Sequence, residues 1–494
     1  MRCIAFVLRL TYPVQVNPHR LWILQLGVIF LVAAGASSQE KEKPLPVFDA
    51  QATRGTVVSR LACLNDPAQS YALYLPSNYS PDRRWPVLYA FDPFARGKTA
   101  VEVYQEVAEK YGYIVAGSNN SQNGPVAPQL EAAQAMWNDT HPRFAIDKDR
   151  VYVTGLSGGA RVATSFALFC STCAVAGVIA HGAGYPVGFN NKQPANDHFV
   201  YYAAVGDVDF NYPELALLRK KKDEQGAPFK VKVYPGPHQW APPEIVEDAI
   251  AWLELKAMQS GAKKADPAFI KKLFAATQAE AARAEQSSDT LTQYYALRSL
   301  AVDFKGLEDT SEFESKMTAL KTSKTWKSAL QREQRDIDLQ ESLVATAGGE
   351  LAQLGSADPE TQVSLGHHVA SALADLRRHA HSNSSDSAVY SRAFTQLFIQ
   401  GMEAGQGESR NHRLSSAAAY FELMAEGAPD QAWPLVVLAE TRVRAGNKKA
   451  ALKALEEASH RGLKHPGALA QDPELQPLAS DPVFQKIVQG AGAK

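Results

Sequence analysis

Cysteine is scarce: four residues in a chain of 494. Cys3 lies in the extreme N-terminal segment, so Cys63, Cys170 and Cys173 would remain after removal of a leader. An odd number of thiols excludes a disulfide framework as the main source of stability. Cys170-x-x-Cys173 has no second ligand pair, which argues against a structural zinc site. One local disulfide, or one from Cys63 to either partner, is the expectation in an oxidising compartment. An excess of charge of one sign is also missing. The formal net charge is −1, which gives no electrostatic basis for a nucleic-acid partner or an anionic membrane surface. Long apolar runs are confined to Leu21–Ala36, shorter than the about 20 residues that a membrane span requires.

That run has the form of an export signal. Arg20 precedes it, the small residues Ala34-Gly35-Ala36-Ser37-Ser38 close it, and the polar stretch QEKEK follows. Residues 1–38 are therefore expected to be a signal peptide, with cleavage after Ala36 or Ser38. The expected location is secreted or periplasmic, and membrane attachment follows only if the leader stays uncleaved.

The remainder has two textures. Residues 46–258 alternate short runs rich in Val, Ile and Tyr with amphipathic stretches. Strands are expected at Tyr71–Leu75, Pro86–Phe91, Tyr113–Gly117, Val151–Gly155, Gly177–His181, Phe199–Val205 and Phe229–Tyr234. Helices are expected over 98–110, 127–140, 158–169, 212–223 and 243–258. Such alternation predicts an α/β fold, a mainly parallel sheet with helices on both faces. Chemistry in such sheets gathers at the carboxyl ends of the strands. Residues 265–494 have almost no strand signal and are expected to be all-α, with Asp266-Pro267 at the boundary. The stretches 344–358 and 380–387 read as loops.

Within 411–494 the small and apolar residues Leu438, Ala439, Gly446, Ala451, Leu455 and Ala458 fall at tetratricopeptide-like spacing from Ala432. Ala417, Phe421 and Pro429 fit the second half of a preceding repeat. The segment after Lys464 is expected to be a capping helix pair, with 265–410 a further helical region. This resemblance implies a surface for a protein partner or for docking the catalytic half.

The chemistry is signalled at Gly155-Leu156-Ser157-Gly158-Gly159. It fits G-x-S-x-G between an expected strand and an expected helix. A nucleophile on such a sharp turn needs small neighbours two residues to either side. The amide of Gly158, at the helix start, is the expected first oxyanion donor. A serine hydroxyl needs a base. His238 lies in Pro235-Gly236-Pro237-His238, after the last expected strand. His181, at a strand end, is its competitor, while His141 and His198 precede strands. The acid is Asp209 or Asp207, both in the loop after Phe199–Val205, with Asp209 preferred through the spacing Gly206-x-x-Asp209. Pro93 has no amide hydrogen, so Phe94 or Asp92 must supply the second oxyanion donor, and Phe94 is chosen.

Residues 46–258 resemble the α/β-hydrolase superfamily, especially its secreted polyhydroxybutyrate-depolymerase and feruloyl-esterase-like branch. YALYLPSNY and PGPHQW carry the likeness beside the ordered Ser157, Asp209 and His238. The resemblance implies ester hydrolysis through an acyl-enzyme, without metal or organic cofactor. The short connection between His181 and Phe199 predicts an open, lidless cleft for a small-molecule or polymer ester, with Trp137, Trp240, Tyr185 and Phe210 as candidate walls. A serine peptidase of prolyl-oligopeptidase type shares the fold and the triad order, but no repeated β-blade pattern is present. A partner-binding protein with a degenerate hydrolase half is the other alternative.

Overall fold

A computed structural model describes residues 53–170, 172–186, 198–356 and 358–490. The expected signal peptide, and most of the connection on which the lidless cleft was inferred, lie outside the described residues. Among the described residues no helix is long and apolar enough to cross a membrane.

Eight strands form one sheet: β1 (Val57–Ala62), β2 (Ser70–Tyr74), β3 (Trp85–Phe91), β4 (Ile114–Ser118), β5 (Ile146–Leu156), β6 (Gly177–His181), β7 (Val200–Gly206) and β8 (Phe229–Tyr234). Their order is β1-β2-β4-β3-β5-β6-β7-β8. β2 is antiparallel to both its neighbours, and every pairing from β4 onward to β8 is parallel. The strand that sequence reading omitted is β1. It is an edge strand whose Ser59 and Arg60 are exposed, so it lacks the apolar run of a buried strand.

Helices cover both faces, as the alternation predicts. α1 (Gly97–Tyr111) and α5 (Pro243–Ser260) pack Val101, Tyr104, Ile250 and Trp252 against Leu88, Tyr152 and Ile179. α2 (Val126–Arg143), α3 (Gly158–Phe169) and α4 (Tyr212–Glu224) pack Met136, Phe166 and Leu215 against Tyr89, Val153 and Tyr201 on the other face. Alternate residues of one strand thus feed two cores, the pattern of a parallel sheet buried on both sides. This is the α/β-hydrolase fold class.

An all-helical array follows: α6 (Pro267–Gln286), α7 (Thr290–Asp303), α8 (Ser311–Thr322), α9 (Lys324–Leu354), α10 (Pro359–Ala380), α11 (Ser387–Arg410), α12 (Leu414–Gly427), α13 (Trp433–Arg444) and α14 (Lys448–His460). Asp266 caps α6 by accepting from the amides of Ala268 and Phe269. No gap separates the halves at this point. Leu255 and Met258 of α5 share one core with Ile270, Leu297 and Phe304.

Two expectations need correction. The stretch 344–358 is not a loop, because α9 continues through Leu354. Val344, Ala347, Leu351 and Leu354 are buried at helical spacing and share a core with α10 and α11. Their burial outweighs the propensity cost of Gly348 and Gly349, about 1 kcal/mol each. The cap after α14 is not a helix pair. Pro466, Pro473 and Pro477 punctuate it into two 3-10 turns, Pro466–Gln471 and Pro473–Leu478, before the short α15 (Pro482–Val488). The connection between α10 and α11 falls at 380–387, where the polar run predicts it. α13 and α14 form a hairpin in which Ala439, Ala451 and Ala458 are fully buried and Gly446 takes the left-handed turn (φ 78°).

Candidate active site

Ser157 sits where β5 ends and α3 begins. Its backbone has φ 55° and ψ −122°, a conformation that L residues hold only when the surroundings impose it. The surroundings are visible. A Cβ on Gly155 would come within 2.2 Å of Gly159 backbone atoms, and one on Gly159 would come within 2.1 Å of the Phe91 carbonyl oxygen. The glycines of the motif are therefore required by close backbone approach. The Ser157 amide donates to the His181 carbonyl (2.8 Å), so the turn remains attached to the β6 end.

His238 lies in the loop after β8. Its Nδ1 is 2.9 Å from both carboxylate oxygens of Asp209. Asp209 is fully buried, and its Oδ1 also accepts from the Asn211 amide (2.8 Å). A buried carboxylate on one ring nitrogen fixes the tautomer and leaves Nε2 to handle a proton. Asp207 is directed elsewhere: its Oδ1 accepts from the Gly236 amide (2.9 Å) and joins the acid-bearing loop to the His-bearing loop. Gly206 lets these loops touch, since a Cβ there would lie 2.0 Å from the Gly236 carbonyl oxygen.

The third side is closed by β6. Gly182 follows His181, and a Cβ on it would lie 2.9 Å from Asp209 Oδ2 and from His238 Nδ1. Its carbonyl accepts from Asn211 Nδ2 (2.7 Å). Ser157, His238 and Asp209 thus gather around the carboxyl ends of β5, β6, β7 and β8. No hydrogen bond joins Ser157 Oγ to His238 among the described contacts.

His181, the competitor, is fully buried with Nε2 2.7 Å from the Tyr104 hydroxyl. Burial pushes its pKa down to about 3, so it stays neutral and takes up no second proton at neutral pH. His141 stacks on Trp137 within α2, and burial lowers its pKa as well.

The oxyanion side departs from expectation. The Phe94 amide donates to Asp92 Oδ1 (2.9 Å) and is not free to bind an oxyanion. Phe94 is displaced from its expected role because the Asp92 carboxylate folds back on its own loop. That fully buried carboxylate also receives Arg96 Nε (2.8 Å), Arg96 Nη2 (3.0 Å) and Trp240 Nε1 (3.1 Å). Asp92 thereby ties the β3 loop to the loop carrying His238. The Gly158 amide opens α3, as expected. Above it lies a side chain that sequence reading missed. The carboxamide of Asn123, whose amide donates to the Pro93 carbonyl (2.8 Å), packs on Gly158 so closely that a Cβ there would meet its Oδ1 at 1.8 Å.

Arg161, one turn beyond Ser157 on α3, was also missed. It forms a bidentate pair with Glu214 of α4 (2.8 and 2.6 Å) and donates to the Tyr185 carbonyl (2.6 Å). Glu214 also accepts from the Gly184 amide (2.9 Å), which pins the segment after β6. The Phe210 ring lies tilted beside His238 (ring centroids 4.4 Å apart), whereas Tyr185 and Trp137 belong to the core.

Cys170 and Cys173 form a disulfide at the end of α3, and Cys63 is a buried free thiol. Burial, aided by Asp139, raises the Cys63 pKa to about 11, which leaves it inert. Among the described residues no three His, Cys, Asp or Glu side chains gather as metal ligands.

No family model matches the chain. No curated protein matches it. Solved structures do resemble part of it. An S-formylglutathione hydrolase from Staphylococcus aureus is 14% identical, over 41% of this chain and 98% of its own, with a TM-score of 0.33. A hyperthermophilic esterase from Pyrobaculum calidifontis is 13% identical, over 42% of this chain and 88% of its own, with a TM-score of 0.34. Esterase 2 from Thermogutta terrifontis is 11% identical, over 43% of this chain and 96% of its own, with a TM-score of 0.33.

Proposed function

We propose that the protein is a serine carboxylic-ester hydrolase working through an acyl-enzyme. The observation that carries this reading is the strained Ser157 turn beside a His238–Asp209 pair bonded through Nδ1. Ser157 Oγ attacks the ester carbonyl carbon while its proton passes to His238 Nε2. Asp209 stabilises the resulting imidazolium. The carbonyl oxygen becomes an oxyanion facing the Gly158 amide at the start of α3, where the helix dipole favours negative charge.

The second donor in this reading is Asn123 Nδ2, with the carboxamide turned so that Nδ2 rather than Oδ1 faces the oxyanion, because the Phe94 amide is bound to Asp92. When the tetrahedral intermediate collapses, the bond to the alcohol oxygen breaks and His238 returns the proton to it. A water then repeats the sequence on the acyl-enzyme: its proton goes to His238, its oxygen to the carbonyl carbon, and as the bond to Ser157 Oγ breaks His238 returns that proton to Oγ, freeing the acid and the Ser157 hydroxyl.

The substrate class is a small-molecule or polymer-end ester. Location outside the cytoplasm, with residues 1–38 removed as a leader, belongs to the same proposal. The test is turnover of acetyl, butyryl, feruloyl and hydroxybutyrate p-nitrophenyl esters beside a peptide panel. Ester turnover that Ser157→Ala abolishes is expected. Turnover unchanged in that variant, or turnover of peptides alone, contradicts the reading.

A further inference from the structure

The loop that carries Asp209 is held from outside the catalytic half. Arg392 of α11 donates from Nη1 to the Asp207 carbonyl (2.9 Å) and from Nε to Gln340 Oε1 (2.9 Å). Gln340 of α9 donates in turn to the Phe210 carbonyl (2.8 Å) and to Gln396 Oε1 (2.8 Å). These bonds seize the backbone two residues before Asp209 and one residue after it. The guanidinium also lies over the Tyr212 ring, 4.6 Å from its centre. Tyr212 closes the turn, its amide donating to the Asp209 carbonyl (2.9 Å) and its hydroxyl to Glu333 of α9 (2.6 Å).

The burial of Arg392 makes this arrangement informative. Arg392 is 4% exposed and Gln340 1% exposed. Taking a guanidinium out of water costs several kcal/mol, which a direct carboxylate partner ordinarily offsets. Among the described residues Arg392 has no direct ion pair. Its hydrogen-bond acceptors are neutral, and one of them belongs to the acid loop. A cation placed solely to join helices has no need of that carbonyl. Two backbone carbonyls flanking the catalytic acid are held by a planar, pre-organised fork and a buried carboxamide.

We propose that Arg392 and Gln340 are positioning residues, through which the helical array sets the Asp209 carboxylate against His238. The inference rests on the esterase reading only for its kinetic consequence. The catalytic half is then incomplete without α9 and α11, and the helical half is part of the machinery.

The experiment compares full-length wild type with Arg392→Met, Arg392→Lys and Gln340→Leu. Ester kinetics are read together with the low-field Nδ1 proton of His238 in protein carrying nitrogen-labelled histidine. In Arg392→Met, kcat should fall between about tenfold and a hundredfold, the range that a displacement near 1 Å produces, with KM unchanged. The His238 proton signal should move upfield or exchange away. Arg392→Lys should recover part of the loss, since an ammonium can reach one acceptor but cannot span both. Gln340→Leu, which releases the Phe210 carbonyl and removes the acceptor for Arg392 Nε but spares the Arg392–Asp207 bond, carries the same test should Arg392→Met fail to fold. A folded Arg392→Met or Gln340→Leu with unaltered kcat and an unaltered His238 signal overturns the proposal. Wild-type protein inactive on every ester contradicts the esterase reading instead, and the His238 signal still reads the clamp.

Discussion

At the scale of single residues, the site depends on positions where a Cβ has no room. Gly182 has φ 62°, and any side chain there collides with both His238 and Asp209. Gly182→Ala should lose ester turnover by displacing the pair, and lose stability by about 1–2 kcal/mol from the left-handed backbone alone. Paired kinetic and thermal-melting measurements check this, and a variant with wild-type turnover contradicts it. The sharp turn at Ser157 and the pairing of His238 with Asp209 rather than Asp207 were legible because each residue follows a strand whose pattern is unmistakable. Phe94 was not, because the fold-back of the Asp92 carboxylate leaves no local signature. Asn123 was equally hidden among the polar residues of SNNSQNG. Asn123→Ala should lower kcat by about a hundredfold or more with little change in KM, as loss of one oxyanion donor does elsewhere. An unchanged kcat returns the role to a backbone amide.

At the scale of elements, periodicity located the helices of the α/β half to within a few residues at their ends. It failed where local composition and tertiary burial disagreed. Gly348-Gly349 reads as a breaker, yet the buried stripe Val344, Ala347, Leu351 and Leu354 carries α9 straight through. β1 failed for the opposite reason: an edge strand exposes its polar residues. The α13 helix carries a titratable weak point. Glu440 faces the 3-10 turn that holds Asp472 and Glu474, and burial followed by repulsion from Asp472 pushes its pKa up to about 8, with Arg444 opposing. In the unfolded chain this carboxyl ionises near its ordinary value, about 4.3. The folded state therefore binds the proton more tightly, and stability is lost as pH rises from that value through about 8. The melting temperature should fall between about pH 5 and pH 8, and Glu440→Gln should flatten that fall. An equal fall in the variant assigns the effect to other groups.

At the scale of the molecule, sequence texture separates an α/β half from a helical half, but texture cannot show what crosses between them. Arg298 joins Asp223 (2.8 Å), Arg219 joins Glu333 (2.5 Å) and Trp252 donates to Asp303 (3.0 Å), all between residues far apart in the chain. No periodicity encodes such contacts. Of the two roles expected for the helical region, a partner surface or docking against the α/β half, the contacts of α9 and α11 with the Asp207–Phe210 loop fit the second. The central claim remains the nucleophile. Full-length protein treated with a fluorophosphonate and digested for peptide mass spectrometry should carry one adduct, on Ser157. It should be absent in Ser157→Ala and form far more slowly in His238→Ala. No adduct, or an adduct on another residue, contradicts the account.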